Sequence, residues 1–171
     1  MKLLDLFCGA GGAAMGYSRA GFTEIIGVDI KPQPNYPFTF VLDDALEYIQ
    51  AHGYEFDAIH ASPPCQHATT LRHLHHHGAY LDLIAPTREA LVAIGCPWFI
   101  ENVFGADLHY PLMLCGSLFG LGAVCRDGRF HQLRRHRYFE TNVPMLTPAC
   151  VHRGRPVGVY GNGGGNEGKL H

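Results

Sequence analysis

The stretch Lys2-Leu3-Leu4-Asp5-Leu6-Phe7-Cys8-Gly9-Ala10-Gly11-Gly12 runs from a short apolar segment into a glycine-rich turn. Its first part, Lys2–Phe7, reads as a buried strand. The residues after the glycines, Ala13–Ala20, are helix-permissive and stop at Gly21. Strand, glycine turn and helix in that order bring backbone N–H groups and a helix N-terminus toward a bound cofactor. A second strand, Glu24–Val28, ends in Asp29. An acid about 20 residues past the glycines, at the end of the next strand, can bond both hydroxyls of a ribose. The combination points to a doubly wound, Rossmann-like α/β fold and an adenosine-containing cofactor.

Moving outward, Phe38–Leu42 reads as a third strand, and Asp43-Asp44 precede a helix, Ala45–His52, that stops at Gly53. Asp44 has two readings, as the helix N-cap and as an acceptor for an exocyclic amine of the cofactor. A fourth strand, Phe56–His60, leads into Ala61-Ser62-Pro63-Pro64-Cys65-Gln66. Proline lacks an N–H donor and fixes φ, and it pushes the residue before it toward an extended conformation. The chain is therefore stiff where it leaves the sheet. Cys65 then stands at the carboxyl end of a strand, where a nucleophile would be presented. A small buried residue in a Pro-rich turn is the bland alternative.

His67–Ala79 contains His67, His73, His75, His76 and His77. Adjacent histidines cannot all face one ion, and acid or thiol ligands are missing nearby, so a polar loop over the site is the better reading. Tyr80–Ile94 has helical periodicity with Pro86 near its start, and Gly95 ends it. Pro97–Ile100 is a fifth strand leading into Glu101-Asn102-Val103. Glu101 is expected at a strand end next to the one carrying Cys65, so that a thiol and a carboxyl could meet one substrate. Pro111–Gly116 reads as an apolar strand or its approach. Gln132–Glu140 reads as one strand of a mixed sheet, whose alternation puts Arg135 and Arg137 on one face. Cys150-x-His152 with Cys115 and Cys125 could form a zinc site, but the spacings match no usual pattern, so no metal is expected. Gly161–Asn166 has flexible-loop composition.

The chain has 171 residues, enough for one domain with a real core, and its 47% apolar and 16% charged residues exclude disorder. We expect a single domain over 1–171, loop-rich from about 141. No apolar run approaches the ~20 residues of a bilayer span. The cysteines at 8, 65, 96, 115, 125 and 150 lie far apart and read as free thiols in a reducing, cytoplasmic compartment. Net charge is −2, but residues 1–125 carry 5 Lys and Arg against 12 acids, and residues 126–155 carry 7 Arg against 2 acids. That asymmetry suits a polyanionic partner meeting one face, with a solvated basic face as the alternative.

These segments, in this order, resemble the DNA cytosine-5 methyltransferase family. Asp5–Gly12 resembles its S-adenosylmethionine motif, Pro64-Cys65-Gln66 its nucleophile motif, Glu101-Asn102-Val103 its glutamate motif, and Arg135-x-Arg137 its paired-arginine motif. The resemblance covers about residues 2–140. It implies a mostly parallel methyltransferase sheet with an antiparallel strand late in the chain. It also implies S-adenosylmethionine bound by Phe7, Gly9, Gly11, Gly12, Asp29, Asp44 and Pro64, with Asp29 on the ribose and Asp44 on the adenine amine. Cys65, Glu101, Arg135 and Arg137 would be catalytic, and Gln66 and Asn102 would contact substrate, a cytosine flipped out of DNA.

The chemistry fits these residue types. Thiolate addition at C6 makes C5 of cytosine enamine-like, a carboxylic acid can protonate N3, and arginine can stabilise charge at O2. A stacked base is out of reach, so it must leave the duplex. The chain departs from the family pattern at Leu133, where glutamine is usual, and at Ser62-Pro63-Pro64, where an aromatic residue commonly precedes a single proline. Ser-Pro-Pro resembles the amino-methyltransferases, which place an aromatic residue where this chain has Cys65. The target-recognition region and the C-terminal helix of the family are not visible, so the chain reads as a minimal or a C-terminally truncated member. We expect a monomer, in a restriction-modification setting. The alternatives are a tRNA cytosine-5 methyltransferase, a non-catalytic DNA-binding or regulatory core, and a nicotinamide-dependent oxidoreductase.

Overall fold

The computed structural model describes residues 1–64 and 82–157, and Cys65, Gln66, the histidine-rich run and Gly161–Asn166 lie outside them. The chain clusters into two compact units. The first is Met1–Pro111 with Phe139–Pro144, and the second is Leu112–Tyr138 with the segment from Met145 on.

The first unit begins with β1 (Lys2–Leu6), α1 (Gly12–Arg19), β2 (Glu24–Asp29), β3 (Thr39–Leu42) and α2 (Ala45–His52). It continues with β4 (Ala58–Ala61), α3 (Ile84–Ile94) and β5 (Trp98–Asn102). The strands pair in parallel in the order β3-β2-β1-β4-β5. The chain thus winds outward from β1 through β2 to β3, returns to the other side of β1, and winds outward again. The reversal lies between β1 and β4, which is where doubly wound sheets place their ligands.

Alternation along the strands divides the core. Leu4 and Leu6 of β1 pack with Val28, Ile59, Ala61 and Ile100 against Ala45 and Ile49 of α2 and Leu91 of α3. Leu3 packs on the other face with Ile25 and Ala58 against Ala14 of α1 and Tyr36. Helices therefore cover both faces of a sheet whose strands are buried on both sides, the expected setting for parallel strands. Gly27 makes room in this second layer, since a Cβ there would lie 2.2 Å from the Tyr36 ring.

Beyond β5 the first unit's sheet takes in the end of β9 (His136–Thr141), and β6 (Leu112–Cys115) belongs to the second unit. The Thr141 hydroxyl donates to the Trp98 carbonyl, and Trp98 N donates 2.9 Å to Asn142 Oδ1. The end of β9 thus lies beside the start of β5, which makes β9 the antiparallel strand of a mostly parallel sheet. Within the first unit, the Arg88 guanidinium of α3 grips the Glu140 carboxylate of β9 at 2.6 and 2.9 Å. Both side chains are largely buried, which favours a fork-on-carboxylate pair over separate charges.

The second unit adds a hairpin of β7 (Gly122–Val124) and β8 (Phe130–Gln132), paired antiparallel. One strand expectation is corrected here. Gln132–Glu140 is not one strand, because β8 stops at Gln132 and β9 starts at His136. At the break, Leu133 N donates to Leu121 O and the Arg134 guanidinium bonds Gly154 O, so the backbone and side chains there are committed outside a β9 ladder. Arg135 therefore precedes β9, while Arg137 lies in it. Among the described residues no helix is long and apolar enough to cross a membrane.

Two buried ionisable groups face each other across β1 and β4, where Asp5 pairs with His60. The Tyr36 hydroxyl donates 3.1 Å to Asp5 Oδ2, and Tyr17 OH meets His60 Nδ1 at 3.2 Å. Burial pushes the Asp5 carboxyl up to about 7, and Tyr36 opposes the shift. Burial pushes the His60 imidazole down to about 4. Between the unfolded and folded values the native state holds the Asp5 proton but refuses the His60 proton. Asp5 thus makes stability fall as pH rises from about 4 to 7, and His60 makes it rise from about 4 to 6.5, each by up to about 1.4 kcal/mol per pH unit. The slopes nearly cancel in the wild type. Urea denaturation across this range should give Asp5→Asn a stability that climbs with pH and His60→Gln one that falls. Unaltered slopes in both variants would contradict this.

Candidate active site

The carboxyl ends of β1, β4 and β5 converge on one corner of the first unit. β1 leaves the sheet through Phe7, whose φ of 55° is left-handed, and through Gly9 and Gly11 at φ 48° and 83°. A positive φ at the non-glycine Phe7 is strained and marks a sharp exit. Gly11 is doubly restricted, because a Cβ there would also lie 2.5 Å from the Pro37 ring. Around Gly9 and Gly12 there is open space where side chains would stand. α1 starts directly after the turn, with no side chain capping it and no acid in its first turn. Its first N–H groups are therefore available to an outside acceptor.

Asp29 ends β2 beside this turn. Its Oδ2 accepts from Gly9 N at 3.0 Å and its Oδ1 from Lys31 N at 2.9 Å. Each carboxylate oxygen retains a further lone pair, so two vicinal hydroxyls could still be accepted. Asp43 N donates to Asp29 O at 3.3 Å, which brings the end of β3 to the same edge. Asp44 caps α2 as its sequence suggests, with Oδ1 accepting from Leu46 N at 2.8 Å and Glu47 N at 3.1 Å. Such a cap stabilises a helix by about 1 kcal/mol. The Cys8 thiol, buried beneath the turn, is pushed up to about 12 by burial and by the Asp5 and Asp29 charges, so it is no nucleophile.

β4 is tied to both neighbours where it leaves the sheet. Ser62 N donates to Leu6 O at 3.2 Å, and the Ser62 hydroxyl donates to Phe7 O at 3.1 Å. On the other side, Asn102 Nδ2 donates 3.0 Å to Pro63 O, and Asn102 Oδ1 accepts from Val103 N at 2.9 Å. Asn102 is 2% exposed. Its amide thus bonds the backbone at both its nitrogen and its oxygen. The β4–β5 register pairs Ala61 with Ile100. The next residues along, Ser62 and Glu101, therefore stand at adjoining strand ends. Glu101 is half-buried, Pro63 is buried and Pro64 is exposed.

The structure thus brings Phe7, Gly9, Gly11, Gly12, Asp29, Pro64, Glu101 and Asn102 to the carboxyl edge of one sheet. Cys65 and Gln66 follow Pro64 directly in sequence and lie outside the described residues. Arg135 and Arg137 belong to the second unit, where Arg137 Nη1 donates 2.9 Å to His136 O. Sequence reasoning missed Ser62 as the tie between the two strand ends. A hydroxyl residue just before a proline pair, at a strand end, was the available signal.

The type II methyltransferase M1.HphI of Haemophilus parahaemolyticus is 35% identical over 81 residues, which is 39% of this chain and 21% of that protein. The type II methyltransferase M.FnuDI of Fusobacterium nucleatum is 35% identical over 72 residues, again 39% and 21%. The matches thus span about a fifth of the length of these relatives. Among solved structures, a protein described as a DNA modification methyltransferase encoded within an E. coli prophage superposes with a TM-score of 0.53 at 22% identity. That superposition covers 81% of this chain and 45% of the other, and it bears on the fold alone. The model of C-5 cytosine-specific DNA methylases matches residues 1–105, more than half of the sequence. On that match, over the segment that holds the glycine turn, Asp29, the proline-cysteine exit and Glu101, the chain belongs to the C-5 cytosine-specific DNA methylase family.

Proposed function

We propose that this chain is the catalytic core of a methyltransferase that moves a methyl group from S-adenosylmethionine to C5 of a cytosine in DNA. One observation carries the reading: the clamp of Ser62 and Asn102 sets the Pro63-Pro64 exit beside both the glycine turn and Glu101. The nicotinamide reading explains only the glycine turn and Asp29, and the family match speaks against it.

The residues around the turn fit S-adenosylmethionine. Gly9 and Gly12 leave room for a ligand, α1 offers uncapped N–H groups to a carboxylate, and Asp29 retains acceptor capacity for the ribose hydroxyls. Asp44 has Oδ2 to offer the adenine amine while Oδ1 caps α2. When bound, the cofactor supplies an electrophilic sulfonium methyl group.

The chain's own side chains prepare the acceptor. The Cys65 thiolate adds to C6 and places electron density on C5. Glu101 gives a proton to N3 as that density develops, and Arg137, with Arg135 in support, is assigned to O2. C5 takes the methyl group as the donor sulfur–methyl bond breaks, a base removes the C5 proton, N3 returns its proton to Glu101, and the C6–sulfur bond breaks to return the thiolate. The substrate cytosine is flipped out of the duplex, and Gln66 contacts it. Asn102 and Ser62 act through the backbone by fixing where the cysteine is held.

Incubation with methyl-labelled cofactor should place label in duplex DNA, recovered as 5-methyldeoxycytidine after digestion, and Cys65→Ser should abolish it. Label on an exocyclic nitrogen, or in tRNA and not DNA, would contradict the assignment. Asp29→Ala should weaken S-adenosylhomocysteine binding by roughly 10- to 100-fold in calorimetry, the loss of charge-assisted hydrogen bonds; an unchanged affinity would remove Asp29 from the pocket. Asn102→Ala should lower kcat by roughly 10- to 100-fold and leave that affinity within about twofold, as a misplaced nucleophile does. Equal loss of both would make Asn102 merely structural.

A further inference from the structure

Among the described residues, the second unit lacks the apolar interior of the first. Both hydrophobic clusters among the described residues lie in the first unit. Among the described residues of the second, the buried ones are Cys115, Gly116, Cys125, His131 and Val157, while Phe119, Val124, Phe130 and Val151 are exposed. A unit this small without a core ordinarily needs a disulfide or a metal to hold its shape. All of its described cysteines are free thiols.

Four side chains from three separate segments converge there. Cys115 ends β6, His136 starts β9, and Cys150 and His152 lie on the irregular segment that follows. Their ligand atoms all lie within 4.8 Å of one another. His136 Nε2 is 3.3 Å from His152 Nε2, Cys115 Sγ is 3.4 Å from His152 Nε2, and Cys150 Sγ is 3.5 Å from His136 Nε2. These spacings have a direct physical meaning. A tetrahedral ion with Zn–N of about 2.0–2.1 Å and Zn–S of about 2.3 Å sets N···N near ~3.4 Å and S···N near ~3.5 Å. The sulfur-to-nitrogen distances also match one ion better than a two-iron cluster, which would hold its sulfurs and its imidazoles on different metals.

We propose that Cys115, His136, Cys150 and His152 hold one structural zinc ion. Two thiolates and two neutral imidazoles form a closed set with no open position, the signature of a structural and not a catalytic site. The Ser117 hydroxyl, 3.2 Å from Cys115 Sγ, donates to the thiolate from outside the set. The site revises the sequence reading in one member: His136 stands where Cys125 was considered. The ion pins the segment after Met145 to the ends of β6 and β9. His136 lies between Arg135 and Arg137, so the ion also fixes the backbone that carries both arginines. That last consequence rests on the methyl-transfer reading, whereas metal binding does not.

The test is metal analysis of the whole chain after washing with a weak chelator. We expect about one zinc per chain, and cobalt(II) replacement should give the intense visible spectrum of a tetrahedral thiolate–imidazole site. Cys150→Ser and His152→Ala should each lower the zinc content at least about tenfold, and Cys125→Ser should keep it. Should the variants fail to fold, alkylation of the wild type decides the matter. Zinc should protect Cys115 and Cys150, and a strong chelator should expose both. Less than about a tenth of an equivalent of zinc together with an octahedral cobalt spectrum would overturn the proposal. So would loss of metal in Cys125→Ser with retention in Cys150→Ser. Because none of these readouts uses methyl transfer, an inactive chain that binds zinc would count against the catalytic reading alone.

Discussion

Two hydrogen bonds, from the Ser62 hydroxyl to Phe7 O and from the Asn102 amide to Pro63 O, hold three strand ends together. Everything at the site depends on them. A parallel sheet delivers its strand ends to one edge, but it does not say how the chain continues past that edge. Here β1 turns away through left-handed Phe7 and Gly9, and β4 turns away through two prolines. The backbone ladder follows the two exits only as far as Ser62 N on Leu6 O and Cys8 N on Val28 O. The serine and the asparagine add side-chain bonds to these, so two sharp turns stay in register with the sheet beneath them.

The sheet in turn is positioned by what it buries. The face under α2 and α3 is mostly aliphatic and aromatic, with Thr87 of α3 as a buried polar exception. The face under α1 accepts polar groups, Asp5 and His60, each met by a tyrosine hydroxyl. A buried polar residue is tolerated only with a partner, and Gly27 lets Tyr36 approach closely enough to be one. Tyr36 bonds Asp5 and also lies against Gly11, and so links the packing of the α1 layer to the glycine turn. The second unit follows a different rule. With little apolar surface inside, it relies on groups that bond strongly and at fixed angles.

What could be read from sequence was what is local. Asp44 and Gly53 bracket α2 at the residues expected, because capping chemistry is decided within a few positions. The glycine turn, Asp29 and the adjacency of β4 and β5 followed from strand–turn–helix order, a pattern with one common topology. The features missed are non-local. Nothing near Asn102 in sequence announces that its amide reaches Pro63. Cys115 and His136 stand far in sequence from each other and from Cys150-x-His152, and zinc motifs are recognised by short spacings, so His136 was missed. The strand expected over Gln132–Glu140 failed for a similar reason, since Leu133 and Arg134 have distant partners that alternation cannot reveal.

The central claim is that the proline exit held by Ser62 and Asn102 carries a nucleophile. The direct measurement uses duplex DNA containing 5-fluorocytosine, whose C5 substituent cannot leave as a proton, with S-adenosylmethionine present. The account predicts a covalent protein–DNA adduct that survives denaturation and maps by mass spectrometry to the peptide containing Cys65. An adduct on another cysteine, or one that persists in Cys65→Ala, would contradict it.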